Sequence, residues 1–266
     1  MKEPEISLLM TNYNCGKYIE SAIESVINQT YENWELIIVD DKSTDDSLSI
    51  INRFLSDKRI KLISRNKNIG YAGSLIDAIK KSKSKIIGII DSDDALEENA
   101  IKVILEEYIK NPNIGLIYSN MWVCDSDLNT IEKSKWVGQV EKGKTNLHRP
   151  KVSHFKTFKI SVYNKTEGFD INMKKAVDKD IIYKLEEVTK IKYVDKAIYY
   201  YRSHDEGISQ GKNLAEAKKY SLLAKYKAYI RRKKNGFKNI SADEALEIWH
   251  KIKESFNNHS YELPID

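Results

Sequence analysis

Apolar and polar positions alternate in blocks along the first 120 or so residues. Ile6 to Met10 is an apolar run of strand length that leads into the turn-rich loop Thr11 to Gly16. Tyr18, Ile19, Ala22, Ile23, Val26 and Ile27 then recur at helical spacing. Leu36 to Val39 reads as a second buried strand, ending on Asp40-Asp41 and the polar loop Lys42 to Asp46. Ile50, Ile51, Phe54 and Leu55 mark a helix, Ile60 to Ile63 a short strand and Ala72 to Ile79 another helix. Ile86 to Ile90 predicts a central strand running into Asp91-Ser92-Asp93-Asp94, followed by a periodic helix over Ala100 to Ile109 and a strand over Ile114 to Tyr118. Strands alternating with helices predict an α/β fold whose mainly parallel sheet is covered by helices on both faces. Three of these strands end in polar or acidic loops, and open sheets of this kind bind ligands at the carboxyl ends of their strands.

The pattern changes after Tyr118. Met121 to about Arg149 is polar, Gly-containing and Trp-bearing, which predicts irregular strands or a mobile loop over the site. Lys175 to Glu187 reads as a helix, and Ile191 to Val194 and Ala197 to Arg202 as strands. The last 55 or so residues are helical, Lys- and Tyr-rich, and lack acidic motifs. The expected organisation is a domain over 1–211, with halves at 1–120 and 121–211, and a helical appendage over 212–266. In that appendage Leu214, Ala217, Tyr220, Ser221, Ala224 and Ala228 recur near helical spacing beside Lys218, Lys219, Lys225, Arg231 and Arg232. Such a helix docks on its own domain, pairs with another subunit as a homo-oligomer, or lies on anionic lipid as a peripheral membrane contact.

Composition narrows the class. With 41% hydrophobic and 31% charged residues the chain reads as globular, neither disordered nor membrane-spanning. No stretch approaches the roughly 20 apolar residues of a spanning helix. The N-terminus goes straight into the first strand without an apolar signal region, so the expected location is cytoplasmic, including the inner membrane face. A net charge of +5 from 44 basic and 39 acidic residues is too small an excess to call for nucleic acid. The basic runs at Lys80, Lys81, Lys83 and Lys85 and from Lys225 to Lys234 are expected to be solvated helix faces. Cys15 and Cys124 have neither metal-type spacing nor a disulfide framework and are expected to be small buried or half-buried side chains.

The sharpest chemical feature is Asp91-Ser92-Asp93-Asp94 at the end of an apolar strand. In an extended chain Asp91 and Asp93 point the same way, and like charges this close repel unless a cation such as Mg²⁺ or Mn²⁺ neutralises them. An acidic turn capping the helix that follows is the plainer alternative. Neither G-x-G-x-x-G after the first strand nor G-x-x-x-x-G-K-[ST] is present, so the phosphate cradles of dehydrogenases and P-loop enzymes are missing.

Five segments in order, Ser7 to Asn14, Ser25 to Tyr31, Ile38 to Asp45, Asn68-Ile69-Gly70 and Ile90 to Asp94, resemble the family 2 glycosyltransferases of the GT-A fold. The resemblance implies a UDP-sugar donor, a glycan or lipid-linked glycan acceptor, and Mn²⁺ or Mg²⁺ as cofactor. It further implies that Thr11, Asn12 and Tyr13 flank the nucleotide, that Asp41 or Asp40 reads the uracil edge, that Asn68, Gly70 and Ser92 line the donor site, and that Asp91 and Asp93 bind the metal. The plainer alternatives are that Tyr13 simply packs and that Asp40 caps a turn, and Asp94 faces the ribose, the metal or only the helix.

The second half, Val152 to Lys159, Thr166 to Asp170 and Ala176 to Ile181, is similar to the N-acetylhexosaminyl-transferring domain of bacterial glycosaminoglycan polymerases, chondroitin polymerase among them. That similarity implies Asp178 as catalytic base, with Val177 where most members carry Glu, and Asp180 in a supporting or structural place. Tyr201-Arg202-Ser203-His204-Asp205 and Ser209 resemble the family's Tyr-Arg-x-His segment, which implies His204 as a further metal ligand and Arg202 facing the diphosphate. His154 either contacts the acceptor or belongs to the core. The implied reaction is an inverting transfer. Its rivals are a non-catalytic module of the same fold and a metal-dependent nucleotidyltransferase, which needs a basic, Gly-rich first loop that Thr11 to Gly16 does not supply.

Overall fold

The computed structural model describes residues 3–205, 207 and 211–256, with the side chains of 212, 255 and 256 excepted. Ser209 lies outside the described residues. The first half holds β1 (Ile6–Asn12), α1 (Gly16–Ile27), β2 (Trp34–Asp40), α2 (Ser47–Phe54), β3 (Ile60–Ser64), α3 (Gly70–Lys81), β4 (Ile86–Ile89), β5 (Ala95–Leu96) and α4 (Ala100–Lys110). The second half holds β6 (Ile114–Cys124), β7 (Thr130–Lys133), β8 (Lys156–Lys159), α5 (Ile160–Tyr163), α6 (Val177–Glu186), β9 (Lys190–Arg202), α7 (Leu214–Lys234) and α8 (Ala242–Phe256). Among the described residues the strands form one nine-stranded sheet in the order β3-β2-β1-β4-β8-β6-β9-β5, with β7 on β6.

β3, β2, β1 and β4 pair in parallel. β8 then runs antiparallel between β4 and β6, which restores the original direction for β6 and its parallel partner β9. The sheet is therefore mainly parallel, with β5, β7 and β8 reversed. Every residue of β2 is buried and β1 nearly so, as expected of strands covered by helices on both faces. The α1 residues predicted to face the core, Tyr18, Ile19, Ala22, Ile23 and Val26, are buried.

Three features depart from the sequence expectation. β8 and β5, with four and two residues, are too short to show a period of their own. Gly88 makes room for β8's approach: a Cβ there would lie 2.9 Å from both Leu8 and the Phe155 ring. The two strand signals near the end belong to one strand, β9, in which Val194 pairs with Ser119 and Ala197 with Asn120, so Asp195 and Lys196 form a bulge. The segment after β7 is irregular yet anchored, since the Tyr118 hydroxyl donates to the Gly138 carbonyl and Leu147 is wholly buried.

α7 docks on its own domain, packing on α6 and α8 with Tyr220, Leu223, Ala224 and Ala228 buried. Most of the basic run on this helix is not a solvated face, and only Lys233 and Lys234 at its end are exposed. Lys225 pairs with Glu244, Lys227 with Asp170 and Arg231 with Glu187, while Arg232 has no exposure at all and binds Glu186 and Glu187 at 2.8 and 2.9 Å. Burial of α7 against the acidic end of α6 carries these cations inward. Lys80, Lys81, Lys83 and Lys85, by contrast, are exposed as expected.

Candidate active site at the carboxyl edge of the sheet

A cavity of about 730 Å³ opens where β1, β2 and β4 end. Thr11, Asn12 and Tyr13 reach it from the end of β1, Asp41 from the end of β2, and Asn68 and Gly70 from the start of α3. Parallel pairing sets Asn12 beside Asp40, and Asn12 Nδ2 donates to Asp40 Oδ1 at 2.8 Å and to Ser43 Oγ at 3.0 Å. Asp40 is wholly buried and does not line the cavity. Asp41 does, with a carboxylate that accepts from the backbone N–H groups of Ile69 and Gly70 at 3.0 and 2.7 Å. Gly70 takes φ +84°, a left-handed conformation glycine adopts without strain, so the chain turns into α3 with its amides on Asp41. Tyr13 is half exposed at 53%, so packing in the core does not account for it.

The acidic segment after β4 is a turn and not extended chain: the Asp94 amide donates to the Asp91 carbonyl at 3.2 Å. The turn sends its carboxylates to separate partners. Asp91 Oδ1 accepts from the Tyr71 hydroxyl at 2.9 Å, and its Oδ2 lies 3.7 Å from His154 Nδ1. Asp93 Oδ2 meets His204 Nε2 at 2.9 Å, joining residues 111 positions apart in the chain. Asp94 is buried, accepting from the Tyr199 hydroxyl at 2.7 Å and the Arg202 amide at 2.8 Å. Burial raises the Asp91 carboxyl above its ordinary range, against the nearby Lys156 ammonium, and raises Asp94 further.

Arg202 was expected to face the diphosphate, but it does not line the cavity. Its Nε donates to the Asp93 carbonyl at 2.6 Å and its Nη2 to Ser21 Oγ at 3.0 Å, and the guanidinium lies 4.6 Å from the Tyr18 ring centre. It braces the acidic turn from behind. Ser92 and His204 do line the cavity.

Asp178 lies in the first turn of α6, where the helix dipole favours an anion, and its side chain is 37% exposed along the cavity wall. Lys156 Nζ is 4.0 Å from Asp178 Oδ2 and 3.2 Å from His154 Nδ1. Burial pushes the Asp178 carboxyl up, but Lys156 overcomes this and holds it below its ordinary value, so it is ionised at neutral pH. Burial, aided by Lys156, drives His154 down to about 3 and keeps its ring neutral. Asp180 faces away into an ion pair with Lys184 at 2.7 Å and is 1% exposed.

The family model described as Glycosyl transferase family 2 matches residues 7–180, which contain every one of these groups except those on β9 and beyond. The chain belongs to glycosyl transferase family 2. Chondroitin synthase of Escherichia coli is 34% identical over 209 residues, covering 77% of this chain and 30% of that protein. Hyaluronan synthase of Pasteurella multocida is 32% identical over 209 residues, 77% of this chain and 21% of that protein. The family 2 chain thus spans less than a third of the length of these curated relatives. The crystal structure of S. aureus TarS 1-349 in complex with UDP-GlcNAc superimposes with a TM-score of 0.72 at 18% identity, over 96% of this chain and 73% of that one. That likeness gives this chain the GT-A fold.

A divalent cation is implied by the family, and two donor sets compete for it. Asp91, Asp94 and His154 bring one ligand atom each within 4.8 Å of one another. Both Asp94 oxygens already accept hydrogen bonds, and His154 Nδ1 faces the Lys156 ammonium, so a cation there would sit against a buried positive charge. Asp93 and His204, the ligands implied by the resemblance, hydrogen-bond each other at 2.9 Å, with Asp91 two residues away on the same turn, so a cation held by them would take the place of that hydrogen bond. Sequence reasoning missed Tyr71, Tyr199 and Lys156. Tyr71 follows directly on the Asn68-Ile69-Gly70 motif and Lys156 lies within the resembling segment Val152 to Lys159, which were the available signals; Tyr199 reaches the site through β9 and had none.

Proposed function

We propose that this domain transfers a sugar from a UDP-sugar to a hydroxyl of a bacterial surface glycan, with inversion at the anomeric carbon and with Mn²⁺ or Mg²⁺ as cofactor. The observation that supports it most is the ionised Asp178 carboxylate on the wall of the cavity that also holds Asp91 and Asp93. Thr11, Asn12 and Tyr13 flank the nucleotide, Asp41 and the amides it aligns meet the uracil, and Asn68, Gly70 and Ser92 complete the donor wall. Asp91, Asp93 and His204 hold the cation, which when bound neutralises charge on the departing UDP. Asp178 takes the proton of the acceptor hydroxyl as its oxygen bonds to the anomeric carbon, and the bond to the diphosphate breaks with its electrons on UDP. Lys156 keeps Asp178 free to accept that proton.

No helix among the described residues is long and apolar enough to cross a membrane. The acceptor is a glycan or lipid-linked glycan presented at the cytoplasmic face of the membrane. Among donors, a UDP-N-acetylhexosamine is favoured by the likeness of the second half to the hexosaminyl-transferring domain and by the UDP-GlcNAc named for the TarS complex. A panel of UDP-sugars with Mn²⁺, scored for slow hydrolysis without acceptor and for transfer with it, tests the reading. UDP release from one sugar is expected. Release of pyrophosphate instead would mark a nucleotidyltransferase, and no release from any UDP-sugar with acceptor present would mark a binding module.

A further inference from the structure

A second pocket of about 190 Å³ adjoins the main cavity, and Trp136, Ser153, Asp178 and Lys179 line both. The carboxylate read as the base therefore stands at the junction. Its floor is Ile182 and Tyr183 of α6, the helix that carries Asp178. The volume is below the roughly 300–1,000 Å³ of sites that enclose a whole ligand, and suits a single sugar ring.

Trp136 is the unusual wall. It is 49% exposed between two buried neighbours, Ser134 and Val137, each 5% exposed. Both are pinned, since the Ser134 amide donates to the Met121 carbonyl at 2.9 Å and the Val137 amide to Ser134 Oγ at 3.3 Å. Among the described residues the indole has neither a ring contact nor a side-chain hydrogen bond. What sets it apart from other exposed apolar side chains is its place, on the wall shared by the two pockets beside Asp178, and its flat face matches the C–H face of a pyranose ring. The opposite wall is equally set: Asn146 donates to Glu186 at 2.9 and 3.0 Å and accepts from the amides of Lys151 and Val152 at 2.9 and 3.0 Å. The pocket is thus formed before anything enters it, which lowers the ordering cost of binding.

We infer that this pocket is the acceptor subsite, with Trp136 as a stacking platform for the glycan ring whose hydroxyl is delivered to Asp178. The inference rests on the transferase reading, which requires the acceptor oxygen to arrive beside the base while the donor fills the main cavity. Binding is measured by titration calorimetry of the whole protein with unsulfated chondroitin and hyaluronan hexasaccharides, in wild type, Trp136→Ala and Trp136→Phe. Trp136→Ala should weaken hexasaccharide binding on the order of tenfold and raise the acceptor KM by a similar factor, with a smaller change in kcat, while Trp136→Phe retains most of the affinity. UDP binding in the same samples should persist, which separates loss of the platform from loss of the fold. Unchanged hexasaccharide affinity in Trp136→Ala, or no binding of either hexasaccharide by wild type, overturns the subsite. Sugar binding through Trp136 without any transfer would instead refute the transferase reading and leave the subsite standing.

Discussion

Arg232→Met tests whether α7 is part of the framework that holds α6 and with it Asp178. The substitution keeps an unbranched apolar stem of similar reach and deletes the guanidinium. That group donates to Glu187 Oε1 at 2.9 Å, Thr145 Oγ1 at 3.0 Å, the Tyr183 carbonyl at 3.2 Å and Glu186 Oε2 at 2.8 Å. It therefore ties α7 to α6 and to the 134–155 segment at one point. Removing one partner of a buried pair costs about 3–5 kcal/mol, because the remaining charge is left desolvated. Here the lower end applies. Glu187 keeps Arg231, and Glu186 keeps the two Asn146 donors. About 3 kcal/mol is a large share of a typical total of about 5–15 kcal/mol. Arg231→Met, which leaves Glu187 with Arg232, should cost only about 1 kcal/mol. Urea unfolding followed by tryptophan fluorescence reads the difference as a drop in midpoint, on the order of 1 M for Arg232→Met if m is about 3 kcal/mol/M. Equal midpoints for the two variants would refute the framework role of Arg232.

The site yields further expectations. Asp178→Asn should keep UDP and metal binding and lower turnover on the order of 10²- to 10⁴-fold; a variant transferring at the wild-type rate would show the base misplaced. Asp180→Asn should leave turnover far less affected and report in the melting temperature instead, because it leaves the buried Lys184 ammonium with only the Gly168 carbonyl at 2.9 Å and the more distant Glu167 carboxylate at 3.9 Å. Asp93→Asn removes a charged oxygen donor and should abolish Mn²⁺-dependent UDP binding in calorimetry; unchanged affinity would count against Asp93 with His204 as the cation site. Burial raises Asp170, but its hydrogen bond from Lys227 holds it below its ordinary value of 3.8, so the stability it contributes is fully present above that pH and lost as pH falls below it. The melting-temperature gap between wild type and Lys227→Met should accordingly be full at pH 7 and close in strong acid; a gap independent of pH would show that Lys227 acts by packing alone.

By itself the sequence determined the parallel half of the sheet and the loops that edge the site. Apolar runs such as Ile6 to Met10 and Leu36 to Val39 carry their own period, and each ends in the loop that supplies Thr11 to Tyr13 or Asp41, so the fold and this wall of the cavity follow from local pattern. The motifs also placed Asp91, Asp93 and Asp178 on one cavity. Only the tertiary structure decided how those carboxylates differ. Asp40 and Asp41 are adjacent in sequence, yet strand pairing buries one on Asn12 and turns the other to the cavity. Asp93 meets His204 and Asp91 meets Tyr71 because a turn replaces extended chain. Lys156 reaches Asp178 because a four-residue strand inserts between β4 and β6, and Arg232 is buried because α7 folds back onto the acidic end of α6. Such contacts join residues far apart in the chain through elements too short, or too polar, to announce which face they bury, and burial against a distant partner is what sets their charge and chemistry.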